Sequence, residues 1–187
     1  AQAALALTNR SIYDGLATGF NLRHQRDTAA FDLTYSPASF MDVDVRVSSA
    51  KREGQQPWGA SFAFNTAVEV PLPIDQRTND VTVGASWSNE RSMFRLGWDG
   101  SWFNNDVNAL VWDNPTRTVD SSTAGSALGR TALWPSSTMN AVSVTGGLSL
   151  PARSRATAYV SVGEWTQNEA LLPFTINSAI APIPLAR

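Results

Sequence analysis

Met41-Asp42-Val43-Asp44-Val45-Arg46-Val47-Ser48 alternates without a break. Odd positions carry methionine and valine; even positions carry aspartate, arginine and serine. Successive side chains of a strand point to opposite faces, so this octet is a ribbon with one oily side and one charged side. The same period of two recurs on either hand. Phe31, Leu33 and Tyr35 oppose Asp32 and Thr34, and Val81, Val83, Ala85 and Trp87 oppose Asp80, Thr82, Gly84 and Ser86. Phe94, Leu96, Trp98 and Trp102 oppose Arg95, Gly97, Asp99 and Ser101. Asp99-Gly100-Ser101 ordinarily reads as a turn, but the alternation runs through it, so a strand glycine permitting close packing is an equal reading. Val142, Val144, Leu148 and Leu150 alternate with Ser143, Thr145, Gly147 and Ser149. Ala156, Ala158, Val160 and Val162 do so with Arg155, Thr157, Ser161 and Gly163. Residues 16–24 and 107–112 are weaker strand candidates. No stretch of similar length fits a helical stripe, so the chain reads as all-β.

The connections add the architecture. Ser36-Pro37-Ala38-Ser39, Ser88-Asn89-Glu90-Arg91 and Pro151-Ala152-Arg153-Ser154 are short, polar or proline-marked links that close hairpins. Residues 49–79 and 103–140 read instead as long loops rich in Gly, Pro, Asn and Ser. Within the first, Pro71 and Pro73 stiffen Val68–Asp75 toward polyproline geometry. Short turns on one rim and long loops on the other are the pattern of an up-and-down outer-membrane barrel. A soluble β-sandwich also buries one face of each strand. Three features separate the two. The alternating runs span about eight to eleven residues, near the nine to eleven that cross a bilayer. Lysine, a common guard of soluble sheet edges, is absent from every predicted strand. Tyr35, Phe40, Trp87, Trp102, Phe103, Trp112 and Trp165 gather near strand ends, as an interfacial girdle would. The expectation is one domain over residues 1–187: an antiparallel, up-and-down transmembrane β-barrel segment giving six to eight strands of a larger barrel.

Composition narrows the function. With 14 Lys+Arg against 16 Asp+Glu there is no basic surplus, so no nucleic-acid partner is expected. The charged share of 16% is low for a soluble domain. Seven Trp and eight Phe exclude disorder. Cysteine is absent, which removes disulfides, thiolate metal sites and covalent c-type haem attachment from this chain. No run of eighteen apolar residues offers a transmembrane helix, but strands that close into a barrel still cross. The apolar opening Ala1–Leu7 lacks an initiator Met and a basic leader, and reads as the start of a mature form or of a piece of a longer chain.

Enzyme signatures are thin. His24, the single histidine, has Arg23, Gln25 and Arg26 as neighbours and no charge-relay partner. Gly84-Ala85-Ser86-Trp87-Ser88 misses the last glycine of a nucleophile elbow. Asp42 and Asp44 share a strand face, but no loop with a glycine and a distal acid follows, so pairing with Arg46 is preferred to a cation site. Gly15/Gly19 and Gly125/Gly129 carry nothing without an apolar helix. Asn9-Arg10-Ser11 is a weak glycosylation match. No catalytic, cofactor-binding or metal-binding residue is expected.

A further set of stretches carries a family likeness. Phe62, Phe64 and Asn65 lead into Val68-Glu69-Val70-Pro71-Leu72-Pro73-Ile74-Asp75; Thr78 to Trp87 follows. Leu96-Gly97-Trp98-Asp99-Gly100-Ser101-Trp102-Phe103-Asn104 comes next, then Leu110-Val111-Trp112-Asp113-Asn114-Pro115. Pro135 to Asn140 precedes a strand and Gly163 to Gln167 closes another. In this order they resemble the MtrB/PioB family of decahaem-associated outer-membrane β-barrel proteins. The Glu-x-Pro-x-Pro-Ile-Asp stretch (Glu69, Pro71, Pro73, Ile74, Asp75) is the most specific part, and the likeness covers most of residues 19–174. The cysteine motif at the N-terminus of some members is absent.

The resemblance implies a barrel in the bacterial outer membrane that sheathes a multihaem c-type cytochrome and serves extracellular electron transfer. It implies no chemistry in the barrel: the chain binds no cofactor, and the haem belongs to the partner. The residues expected to face the lumen and that partner are Arg23, Asp32, Asp42, Asp44, Arg46, Asp80, Arg95, Asp99 and Arg155. They either orient the cytochrome by charge complementarity or merely solvate the lumen and pair across strands. A general porin without a cytochrome and a soluble glycan-binding sandwich are the alternatives.

Overall fold

The computed structural model describes residues 19–62, 66–114 and 117–181. Among them lie eight strands: β1 (His24–Ala38), β2 (Met41–Phe62), β3 (Thr66–Ser88), β4 (Ser92–Asn105), β5 (Ala109–Asp113), β6 (Leu128–Ala132), β7 (Ser137–Leu150) and β8 (Ser154–Thr166). Six form one sheet in the order β1-β2-β3-β4-β7-β8, and every adjacent pair is antiparallel. The β5–β6 hairpin is a separate two-stranded sheet inserted between β4 and β7. This is an up-and-down meander. It is not closed, and β1 and β8 each pair on one side only.

The register turns the sequence alternation into two faces. One cross-strand row reads Leu33–Val45–Val83–Trp98–Val142–Val162 and the next Tyr35–Val43–Ala85–Leu96–Val144–Val160. No second sheet covers this face, and Val162 is 74% exposed. The buried apolar residues, Ala60, Leu72, Ile74 and Leu110, lie outside these rows. A sandwich would bury the valines between sheets, so the sandwich alternative fails. An exposed apolar band of this breadth requires lipid or a partner.

Of residues 49–79, read as a loop, all those described, 49–62 and 66–79, are strand. β2 and β3 run on as a paired arm, with residues matched in unbroken register from Met41↔Trp87 to Phe62↔Thr66. The strands are therefore longer than the expected eight to eleven, at 22 and 23 residues. Along the arm the faces exchange character. Beyond Val47 and Val81 the apolar side becomes Ser49/Asn79, Lys51/Arg77 and Glu53/Asp75, while the polar side becomes Gly54/Ile74 and Gln56/Leu72. Alternation fades where this exchange occurs, which hid the strand.

The prolines fit because of where their missing donors would point. Gln55 N donates to the Arg23 carbonyl in β1's direction, and Asp106 N donates to the Asp75 carbonyl on the side of β3 away from β2. Odd residues of the arm thus turn their backbone groups outward from the β2–β3 ladder. Pro57, Pro71 and Pro73 are all odd and lie beyond the paired ends of β1 and β4, so no ladder bond is lost. The polyproline reading of Val68–Asp75 is corrected accordingly.

The three short links close hairpins on one rim, as expected. The 103–140 link contains the β5–β6 hairpin, so the weak candidate 107–112 became β5, and β4 and β7 extend into its two ends. Residues 19–23 form no strand; residues 16–18, with Gly15 and the 9–11 sequon, lie outside the described residues. Asp99-Gly100-Ser101 is strand. A Cβ at Gly100 would stand 2.8 Å from the rings of both Trp98 and Trp102, which close over it.

Ala152 and Arg153 both adopt φ of 60° in the β7–β8 turn. Left-handed backbone costs a non-glycine residue about 1–2 kcal/mol. Arg153→Gly is therefore expected to stabilise the full-length protein by about 1 kcal/mol, read as a raised urea midpoint in detergent; an unchanged or lowered midpoint contradicts this.

Candidate functional site

The polar face of the six-stranded sheet is the candidate site. Its rows alternate with the valine rows. One runs Asp32–Arg46–Thr82–Asp99–Ala141–Gly163, a second Thr34–Asp44–Gly84–Gly97–Ser143–Ser161, and a third Asp42–Ser86–Arg95–Thr145–Tyr159. Asp80 stands between Ser48 and Ser101 in a fourth row, and Arg155 lies opposite Ser149 at the short-turn rim. Eight of the nine charged residues singled out from sequence thus share one face.

Arg23 does not. Its guanidinium donates to Gln25 Oε1 at 2.7 Å, and Gln25 donates to the Asp27 carboxylate. That ladder stands on the valine side, beyond the apolar rows. Period two counted from Asp32 already puts residue 23 on the valine side; its charge, taken as a mark of the lumen, misplaced it.

The charges are held within the sheet. Arg95 makes a two-pronged bond to Asp44, Nη1 to Oδ1 at 2.6 Å and Nη2 to Oδ2 at 2.8 Å. The two residues are on β4 and β2, so the guanidinium lies across β3. Gly84 makes that crossing possible, since a Cβ there would sit 2.3 Å from Arg95 Nη2 and 2.7 Å from Asp44 Oδ1. Arg46 pairs with Asp32. Asp80 accepts from Ser101 at 2.6 Å and Ser48 at 3.3 Å, Asp99 from Thr82 at 2.9 Å, and Asp42 from Ser36 at 2.5 Å. Ion pairs this open to water add little to stability. Their effect is to fix where the charge stands.

Toward the arm the polar face acquires an apolar recess of 470 Å³, lined among others by Phe103, Trp134, Met139 and Trp165. Phe103 and Trp165 therefore look to the polar side and do not belong to the expected lipid-facing girdle; Trp112 sits in β5. Tyr35, Trp87 and Trp102 do share the valine face. The recess was illegible from sequence because its members come from four separate segments.

Above the recess, the β5–β6 hairpin and the segment 167–181 form a hydrogen-bonded cap. Asn105, where β4 leaves the sheet, donates to the Val107 and Trp134 carbonyls. Asp120 accepts from Ser178 Oγ and N, Ala127 N and Ser126 Oγ, while Asn177 donates to the Ser121 carbonyl. Those donors, Ser178 foremost, hold the Asp120 carboxyl down at about 2. Ser136 likewise lowers Glu169. The motif residues Glu69, Pro71, Pro73, Ile74 and Asp75 lie in the arm beneath this cap, with Ile74 buried and Glu69 exposed.

Against known proteins, a family model described as outer membrane beta-barrel porin, MtrB/PioB, matches residues 4–184. The chain belongs to the MtrB/PioB family. It is 26% identical over 155 residues to Outer membrane protein MtrB of Shewanella baltica (strain OS185), covering 81% of this chain and 21% of that protein. The chain thus spans about a fifth of the relative's length. An MtrB/PioB protein resides in the outer membrane as a porin-like β-barrel, which accounts for the uncovered valine face: it meets lipid. His24, the single histidine, accepts from Arg52 Nε at 3.3 Å, a cation and not a hydroxyl.

Two outcomes test this geometry. Gly84→Val in the full-length protein forces Arg95 off Asp44 and is expected to cost about 1–3 kcal/mol, seen as a lower temperature of heat-modified migration; wild-type behaviour would contradict the crossing. For Asp120, a depressed carboxyl contributes its full stabilisation above the ordinary carboxylate range and loses it as pH falls toward 2. Pepsin cleavage near Ser178 is expected to rise between about pH 4 and pH 2, and Asp120→Ala to abolish that dependence. A flat pH response in the wild type would refute the link.

Proposed function

We propose that the full-length protein sheathes a multihaem c-type cytochrome for electron transfer across the outer membrane, with the polar face of this sheet lining the lumen. The observation that carries the reading is the shape and charge of that face. Its central rows hold Gly84, Gly97, Ser143, Ser161, Ala141 and Gly163, and its ions are tied down in the plane. A bed of small residues leaves room for a folded protein surface. A solute-selective pore would instead need long side chains projecting into a constriction.

In its central rows five carboxylates (Asp32, Asp42, Asp44, Asp80, Asp99) face two guanidiniums (Arg46, Arg95), while Arg26 and Arg52 stand opposite one another toward the arm and Arg155 at the short-turn rim. The acid excess suits a partner whose facing surface is basic, and potentials arranged this way set orientation and encounter rate more than affinity. The recess lined by Phe103, Met139 and Trp165 offers an apolar contact near the outer end of the same face. The barrel acts as insulation and scaffold: it binds no haem itself and performs no reaction. Covalent haem attachment through cysteine falls to the partner.

The test is haem absorbance in the purified full-length protein. A Soret band co-eluting with the barrel is expected, weakened several-fold at 0.5 M salt in an Asp80→Lys/Asp99→Lys variant relative to wild type. A haem-free barrel that conducts small ions freely would favour the general porin and sink the sheath reading.

A further inference from the structure

The lipid-facing side ends in an ordered sequence of rows. The last apolar row is Phe31–Val47–Val81–Gly100, the next Ala29–Ser49–Asn79–Trp102, and the third Asp27–Lys51–Arg77–Asn104. All these positions share the parity of Val45 and Val83, and so look the same way. Rows on one face are ~6.8 Å apart along the strand, or about 5 Å along the membrane normal at a typical barrel tilt. Lys51 and Arg77 therefore stand about 10 Å beyond the last apolar row and about 5 Å beyond the interfacial Trp102. The headgroup layer on each side of a bilayer is about 5–8 Å deep. The backbone of the two cations stands just past it, within the length of a Lys or Arg side chain of the headgroups.

Lys51 is the only lysine in the chain, and Arg77 is its direct cross-strand partner. Like charges set opposite one another are unfavourable unless an anion is shared. Glu53 engages the Lys51 ammonium. Arg77 is exposed and makes no ion pair among the described residues. One row below, Ser49 Oγ donates to Asn79 Oδ1 at 2.8 Å, which leaves the Asn79 amide N–H groups to donate elsewhere. Trp102 adds a half-exposed indole beside them. Two cations, an amide donor and an indole thus occupy adjoining rows on the lipid side, with Asp27, Glu53 and Asp75 beside the cations.

This rim carries the β2–β3 arm, whereas the opposite rim has turns of two or three residues. Short turns of outer-membrane barrels face the periplasm, so the Lys51 row belongs to the outer leaflet. We infer that Lys51, Arg77, Asn79 and Trp102 form a binding site for the phosphorylated sugar headgroup of lipopolysaccharide. The cations hold its phosphate, Asn79 donates to the sugar, and Trp102 packs where sugar meets acyl chain. The inference stands on the outer-membrane location and does not depend on the cytochrome partner.

The experiment titrates full-length protein in detergent with bisphosphorylated lipid A, dephosphorylated lipid A, phosphatidylglycerol and inorganic phosphate, read by native mass spectrometry. Bisphosphorylated lipid A is expected to bind best. Lys51→Ala and Arg77→Ala should each weaken it about five-fold, and the pair about thirty-fold. Lys51→Arg should retain binding, and Glu90→Ala at the short-turn rim should leave it unchanged. Should the double variant fail to fold, judged by heat-modified migration, Arg77→Gln alone decides. Equal binding of dephosphorylated lipid A, or no loss in the variants, overturns the site. Equal binding of inorganic phosphate overturns recognition of a lipid, and equal binding of phosphatidylglycerol overturns the outer-leaflet assignment.

Discussion

A backbone inside a bilayer has no water to bond with, so every amide must find its partner within the protein. Antiparallel pairing meets that demand here, with β2 and β3 matched residue for residue along their whole length. Everything else follows from the period of two that pairing enforces. Because a one-residue slip would turn every valine inward and every aspartate into lipid, the faces themselves lock the register. Glycine then appears where two layers press close: Gly84 beneath the Asp44–Arg95 pair, Gly100 beneath Trp98 and Trp102.

The exchange of faces near Ser49 and Asn79 marks where lipid ends. Below it the solvent on the valine side is hydrocarbon, and above it water. The outward side accordingly becomes Lys51, Arg77, Glu53 and Asp75, while the other side buries Leu72 and Ile74 under the β5–β6 hairpin. One uninterrupted pair of strands thus serves two environments with opposite patterning. The cap is tied by polar hubs at Asn105 and Asp120, as suits an assembly with few buried apolar side chains.

This explains which parts of the molecule were legible in the chain. Met41–Ser48 and its five counterparts sit wholly within the lipid band, where alternation is strict, and their strands, hairpins and faces follow directly. The arm defeated the same reasoning, because its pattern inverts midway and its prolines look like loop markers until the open edges are known. Arg23 lies past the point where the faces change, so its charge, taken as a mark of the lumen, misled. Phe103 and Trp165 were drawn to the girdle by their nearness to strand ends; parity alone, applied strictly, puts them on the polar side. The recess and the Asp120 hub join segments far apart in sequence, and no local signal marks them.

The central claim is that the valine side meets hydrocarbon, the aspartate side meets water, and the assignment reverses in the arm. Nitroxide labels placed singly at positions 43 to 56 of the full-length protein in lipid vesicles test it directly, through collision with oxygen and with a water-soluble nickel complex. Oxygen should dominate at 43, 45 and 47 and nickel at 44 and 46, with nickel taking over the odd positions from 51 onward. Uniform nickel access along 43–47, or dominant oxygen access at 44 and 46, would contradict the account.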